Sequence, residues 1–324
     1  MSKRRPSIVT QLQRSLPVGA RVLVAVSGGR DSAVLLDALH RVRRLLQLHL
    51  EVCHIDHRLR AGSAKDALFV QRQSLKYGIV CHVVRLGPRP PGSNMEAWAR
   101  AERYATFARL IEKQRLTFVV TAHNANDVAE TLLIRLLANK EANSIDKLDP
   151  SRGCLRPLLG VTRAQIDQYA QEHEVEFIDD PSNTDTRLVR NRIRHKLLPM
   201  LQHEFDPAIV WSLAQRATSL DADCDALQSL ADSEVRALGE LQLQNRAWLK
   251  RVCARLSGLP GALQWRVVER IFEPLVGFAL GERRSVAALV LFSGECPQVQ
   301  LTHGVLVRRG SSGLEVVHTV PPAA

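Results

Sequence analysis

Ser27-Gly28-Gly29-Arg30-Asp31-Ser32 is a stretch whose residue types and order build an anion site out of backbone. Glycines at 28 and 29 can take positive φ and let a bulky anion approach the main chain. The N–H groups that open the following helix point at that anion, and the helix dipole favours its charge. The stretch has neither the Gly-Lys-Ser/Thr ending of a Walker A loop nor the G-x-G-x-x-G spacing of dinucleotide folds. It carries Asp31 instead, an anion beside an anion site, which makes chemical sense where Mg²⁺ bridges carboxylate and phosphate. The plain structural alternative is an N-capped turn with Ser27 as the cap.

Three further constellations carry chemistry. His54-Ile55-Asp56-His57-Arg58-Leu59-Arg60 closes an apolar run. Read as H-x-D-H it offers metal ligands, but no second His/Asp cluster completes a coordination sphere. The end of a strand beside the phosphate loop is where an adenine would lie, leaving Arg58 and Arg60 facing a second substrate. Thr121-Ala122-His123-Asn124-Ala125-Asn126-Asp127 leads to Glu130 and gathers a base and carboxylates at a helix start, where acids are also simple helix formers. Residues 187–196 hold five basic and no acidic residues. On a helix, Arg187, Arg190 and Arg194 share a face at i, i+3 and i+7, and guanidinium forks bind phosphate bidentately.

The elements that must position these groups alternate. Residues 22–26 form an apolar run too short for a helix, suited to a strand buried on both faces. Residues 33–39 continue the phosphate loop as a helix. Runs at 48–55, 79–84 and 117–122 read as further strands. Asn94 caps a helix in which Trp98, Ala101, Ala105 and Ala108 recur at helical spacing, and residues 129–137 form another. Thr162-x-x-Gln165 is a capping box opening a helix to His173, and residues 175–178 read as a last short strand. Alternation of this kind predicts a mostly parallel sheet covered on both faces, with ligands at the carboxyl ends of its strands. From residue 187 the period turns helical, over 187–204, 207–238, 243–257, 265–275 and 284–291. Residues 298–309 and 314–317 then flank Gly310-Ser311-Ser312-Gly313 as a hairpin.

Composition narrows the partners. A chain of 324 residues is long enough for two cores. No apolar stretch approaches the ~20 residues of a membrane span, and no apolar segment follows the basic start as a signal peptide requires. The expectation is a cytoplasmic protein. The six cysteines have no C-x-x-C spacing and read as reduced thiols. The net charge of +11 is uneven: residues 205–324 hold 12 basic and 12 acidic residues, so residues 1–204 carry the whole excess. That asymmetry points to a polyanionic partner gripped by the first half.

S-G-G-x-D-S after a strand resembles the PP-loop of ATP pyrophosphatases, which split ATP into AMP and pyrophosphate. With H-I-D-H-R-L-R, the 94–104 segment containing Glu96, Arg100 and Arg103, T-A-H-x-x-x-D-x-x-E-T, R-P-L-L and D-P-S-N…R-N-x-I-R, the chain resembles the tRNA(Ile)-lysidine synthetase family over residues 20–200. The last element, spanning Asp180 to Arg194, is the most specific. The resemblance implies an α/β fold: a parallel-sheet PP-loop ATP pyrophosphatase domain (adenine nucleotide alpha hydrolase-like) over 1–204. A mainly helical tRNA- or substrate-binding domain with a small C-terminal hairpin would follow over 205–324, without the further C-terminal domain of longer members.

The implied reaction adenylates the anticodon wobble cytidine of tRNA(Ile) and attaches lysine as lysidine, changing the codon read from AUG to AUA. It implies ATP and Mg²⁺ as cofactors, tRNA and free L-lysine as partners, and leaves a homodimer open. Ser27, Gly28, Gly29, Arg30, Asp31, Ser32, His54, Ile55 and Asp56 would bind the nucleotide, with Asp31 on the metal. Asp31, His123 and Asp127 would serve catalysis, and Arg187, Arg190, Arg192 and Arg194 would hold phosphates of nucleotide or tRNA. Two departures stand out. Members usually show His-His-x-Asp-Asp where this chain has His123-Asn124-Ala125-Asn126-Asp127, and an Arg-Gly-x-Gly stretch where residues 138–144 contain no glycine. A PP-loop enzyme with a different acceptor and a tRNA-binding relative without catalysis are the competing readings.

Overall fold

The computed structural model describes residues 7–56, 63–138, 148–149, 153–178, 187–302 and 304–318. His57, Arg58 and Arg60, residues 179–183, positions 139–144 of the glycine-free stretch and the side chain of Glu96 lie outside the described set. The chain forms two compact units, residues 1–218 and 219–324.

In the first unit α1 (Ile8–Ser15) precedes β1 (Arg21–Ala25), α2 (Arg30–Val42), β2 (His49–Asp56), α3 (Ser63–Lys76) and β3 (Val80–Arg85). Then follow α4 (Met95–Gln114), β4 (Phe118–Val120), α5 (Ala125–Leu137), β5 (Leu148–Asp149), β6 (Cys154–Leu155) and α6 (Arg163–Glu172). The sheet order is β3-β2-β1-β4-β6-β5, parallel throughout except for β5 against β6. Burial of β1 on both faces follows from its alternation. Val22 and Val24 pack with Leu12, Leu35 and Ile166, whereas Leu23 packs oppositely with Cys53, Phe107 and Val119. The chain runs outward from β1 to β3 on one side and from β4 onward on the other, so the order reverses between β1 and β4. Crevices at such a reversal receive ligands at the strands' carboxyl ends.

Two helices go beyond the expectations from the sequence. α1 commits only Ile8 and Leu12 fully to the core, and α3 buries Gln73 and Ser74 beside Ala67 and Val70, which blurs its apolar period. Residues 175–178 depart from expectation by joining no ladder. The Ile178 N–H donates instead to the Gly28 carbonyl at 2.9 Å, so this extended segment crosses the phosphate loop. The expected helix over 187–204 is also interrupted. α7 (Val189–Arg192) passes into a π-helical turn, Ile193–Leu197, and then α8 (Leu198–Glu204). Pro199 has no N–H for the i→i−4 ladder, and the widened turn lies directly before it. Arg187 precedes the Leu188 N-cap and so stands outside the helix that should have carried it.

α9 (Ile209–Leu238) begins in the first unit. The second unit holds α10 (Arg246–Ser257), α11 (Gly261–Val276) and α12 (Glu282–Ser293) around a core that includes Trp248, Val267, Phe272 and Leu291. A meander of β7 (Gln298–Thr302), β8 (Val305–Arg309) and β9 (Leu314–His318) follows. The β8–β9 reversal falls at Gly310–Gly313 as expected, and Gly304, at φ +95°, makes a second reversal that splits residues 298–309 into two strands. Among the described residues, no helix is long and apolar enough to cross a membrane.

Candidate active site

The phosphate loop closes on itself. The Ser27 N–H donates to Ser32 Oγ at 3.2 Å, the Gly29 N–H donates to Ser27 Oγ at 3.3 Å, and Ser32 Oγ donates to the Gly29 carbonyl at 2.8 Å. The N-cap of α2 is Gly29, and no side chain caps the helix. Ser27 is therefore not the cap, and no side-chain cap competes with an anion for the first-turn N–H groups of α2. The backbone conformation at position 28 favours glycine. Its φ is +93°, while a Cβ there would meet Ile178 and Val70 at ordinary contact distances of 3.4 and 3.5 Å. The Arg30 guanidinium turns aside, paired with Asp167 at 2.7 Å and lying over the Phe177 ring.

At the end of β2, His54 is buried and its Nδ1 lies 2.9 Å from the Val26 carbonyl. A carbonyl only accepts, so Nδ1 carries the proton and donates, bracing the strand that feeds the loop. Ile55 and Asp56 line the same cavity.

Across the reversal, α5 opens with a capping box in which Asn124 accepts from Asp127 N–H and Asp127 Oδ2 accepts from Asn124 N–H. The Asn124 amide also donates to Asp31 Oδ2 at 2.9 Å, joining the loops after β1 and β4. Burial pushes the Asp31 carboxyl up; Arg163 opposes that shift and Asp127 adds to it. His123 accepts from or donates to Thr121 Oγ1 at 2.8 Å, and burial pushes the imidazole down to about 4 against the pull of Asp127. It is neutral at pH 7.

Residues 187–196 lack acids in sequence but not in space. Glu130 is fully buried, accepting from Arg190 Nε at 2.9 Å and from Arg194 Nε and Nη2 at 2.7 and 2.9 Å. Arg194 also donates to Asp127 Oδ1 at 3.3 Å. Burial works against the Arg194 charge, but Glu130 raises its pKa overall. Arg192 points outward and is exposed. The missing counter-charges are thus supplied by α5.

Arg163 is the site residue that the sequence pattern did not single out. From the first turn of α6 its guanidinium reaches within 3.9 Å of both Asp31 and Asp127 and within 3.7 Å of Glu130. Its backbone N–H donates to Asn126 Oδ1 at 2.8 Å. The Thr162 capping box fixes where α6 starts, which was the only sequence signal for this arginine.

These groups line one cavity of about 1180 Å³, bounded by Asp31, His54, His123, Asp127, Arg163 and Arg194. That exceeds the ~300–1,000 Å³ of a typical small-molecule pocket and leaves room for a nucleotide and a second reactant.

A family model described as PP-loop domain matches residues 4–201. A tRNA(Ile)-lysidine synthase of Thermosynechococcus vestitus is 34% identical over 96% of this chain and 90% of its own length. This chain belongs to the tRNA(Ile)-lysidine synthase family. The family's enzyme from Gloeobacter violaceus is 38% identical over 79% of this chain and 77% of its own length. The one from Xanthomonas campestris is 40% identical over 69% and 53%. The U34-tRNA thiolase NcsA from Methanococcus maripaludis shares the fold at TM-score 0.55 and 16% identity, covering 66% of this chain and 78% of that one. For a member of this family the PP-loop is an ATP site.

Proposed function

We propose that the protein is a ligase that uses ATP to join lysine to the wobble cytidine of tRNA(Ile) in the cytoplasm. The observation that carries this reading is the convergence, in one cavity, of an anion-binding loop with Asp31 and Asp127 and with Arg163, Arg190 and Arg194. The chain around that cavity matches lysidine synthases over almost its whole length.

In the first step, the cytidine C2 oxygen attacks the α-phosphorus of ATP and pyrophosphate leaves. The loop from Ser27 to Ser32 holds the β- and γ-phosphates on its N–H groups. The residues present suit Mg²⁺, because Asp31 Oδ2 and Asp127 Oδ1 each lie 3.9 Å from the same Arg163 nitrogen and so belong to one small acidic group. Among the described residues no cluster of three or more metal-ligating side chains forms a cage. One or two carboxylates plus phosphate oxygens is the usual way this ion is held. When bound it neutralises charge on the phosphates, and Asp31, with Asp127 beside it, would hold it.

In the second step, the lysine ε-amine forms a bond to C2 while AMP departs with the C2 oxygen. The amine, with pKa ~10.4, is protonated at pH 7, and exposing its lone pair costs about 4–5 kcal/mol. Asp127 attracts that ammonium and takes its proton, while neutral His123 accepts a hydrogen bond from it without repelling it. Arg190, braced by Glu130, offers its remaining donors to phosphate, while Arg194 ties Glu130 to Asp127 and holds both carboxylates in place.

The test is mass spectrometry of nucleosides from tRNA treated with ATP, Mg²⁺ and lysine. One cytidine should gain a lysine, with AMP and pyrophosphate released in equal amounts. Pyrophosphate release without that gain, with a competent tRNA, would replace lysine or cytidine by another acceptor.

A further inference from the structure

An anticodon base must leave its stack to reach an α-phosphate inside a cavity, and unstacked bases are held by aromatic faces. The aromatic rings lining this cavity, imidazoles aside, are Phe107 and Trp211. Phe107 is 2% exposed and belongs to the core under the sheet. Trp211 differs. It sits in the first turn of α9, remains 36% exposed, and is accompanied on the cavity wall by Pro207, Ala208 and Val210. Trp248 and Trp265, by contrast, are packed away at 1% and 5% exposure. A large flat apolar ring left partly open on the wall of the cavity that also holds the phosphate loop is poorly explained by packing alone, since full burial of such a ring is where its stabilising value lies.

We infer that Trp211 is the stacking platform for the pyrimidine that is flipped into the cavity. The apolar wall of Pro207, Ala208 and Val210 would exclude water from one side of the base, while the loop at Ser27 to Ser32 and Asp31 lie on the nucleotide side. His54 and Ile55, at the end of β2, line the cavity separately and serve the adenine, so two bases do not compete for one ring. This rests on the tRNA-modifying reading and names the residue that holds its target base.

The test measures binding of an anticodon stem–loop RNA with cytidine at the wobble position, and of the same RNA abasic there, without ATP or lysine. Trp211→Ala and Trp211→Leu should each weaken the intact RNA by about 5- to 150-fold, the range for one lost base stack. Trp211→Phe should stay close to wild type, because a smaller ring still stacks. The abasic RNA should bind the wild-type protein correspondingly weakly, and Trp211→Ala should cost it nothing further. An equal loss on the abasic RNA would overturn the assignment, as would Leu matching Phe, or no loss at all. Weakened ATP binding in the variants, with RNA binding intact, would assign the ring to adenine instead. Should the alanine variant fail to fold, the Leu–Phe contrast decides alone. Because no turnover is needed, failure here is separable from failure to form lysidine.

Discussion

Asn126 holds the start of α6: its Oδ1 accepts the Arg163 N–H at 2.8 Å, and Arg163 in turn reaches Asp31, Asp127 and Glu130. The amide that stands where relatives usually carry a carboxylate therefore acts as an acceptor at a helix N-terminus. A carboxylate can do the same with added favour from the helix dipole.

Asn126→Asp should therefore fold with equal or higher melting temperature and keep ATP-dependent AMP release. Asn126→Ala loses the acceptor, should cost about 1 kcal/mol of stability, and should lower turnover by releasing Arg163. Calorimetry with an AMP assay checks both. An inactive Asn126→Asp with an intact fold would mean that the neutral amide has a role beyond this bond.

Glu130 has no exposure and balances Arg190 and Arg194. Replacing it by Gln leaves Arg194, 20% exposed at its side chain, with Asp127 at 3.3 Å but without its main partner, and leaving a buried charge unpaired costs up to about 3–5 kcal/mol. The first unit should lose melting temperature on the order of 10 °C. A shift of only a degree or two would show that water reaches the pair.

Asp31→Asn preserves an acceptor for the Asn124 amide and removes only charge. AMP formation should fall to background while RNA affinity stays near wild type, measured by radiolabelled nucleotide and filter binding. Undiminished AMP formation would remove Asp31 from the metal.

The arginines of residues 187–196 should separate by experiment. Arg192 is exposed, so Arg192→Ala should weaken RNA binding and reduce the slope of log affinity against log salt by about one. Arg194→Ala should act mainly through stability, because its donors are committed to Glu130 and Asp127. Equal slope changes for the two would mean that Arg194 also faces phosphate in the complex.

His123 supplies a pH test. Its folded pKa of about 4 lies below the ordinary imidazole value of 6.5, so between these the unfolded chain binds more protons. The stability tied to the neutral ring is fully present above pH 6.5 and is lost as pH falls towards 4. A ¹H–¹³C titration of the His123 ring should give the low midpoint. A midpoint near 6.5 would make it a base available at neutral pH.

What the sequence disclosed was what lies close together along it. The phosphate loop, the Thr162 capping box and the strand alternation depend on neighbours and periodicity, and they reappear in the fold. The charge balance did not, because Arg194 meets Glu130 and Arg163 meets Asp31 only after the fold brings α2, α5, α6 and the π-helical turn to one crevice. Residues 175–178 misled for a related reason. Their β-like composition fits an extended segment equally well in a ladder or across a loop, and only the partner at Gly28 tells these apart.

That partner has a consequence for biogenesis. The carbonyl of Gly28 is claimed by an amide that leaves the ribosome only after the whole parallel sheet has been translated. A nascent chain stopped short of Ile178 can close the loop through its own serines yet lacks the donor to the Gly28 carbonyl. The brace between the phosphate loop and the late extended segment of the unit therefore forms in one step once Ile178 is free to fold, rather than growing with each added strand.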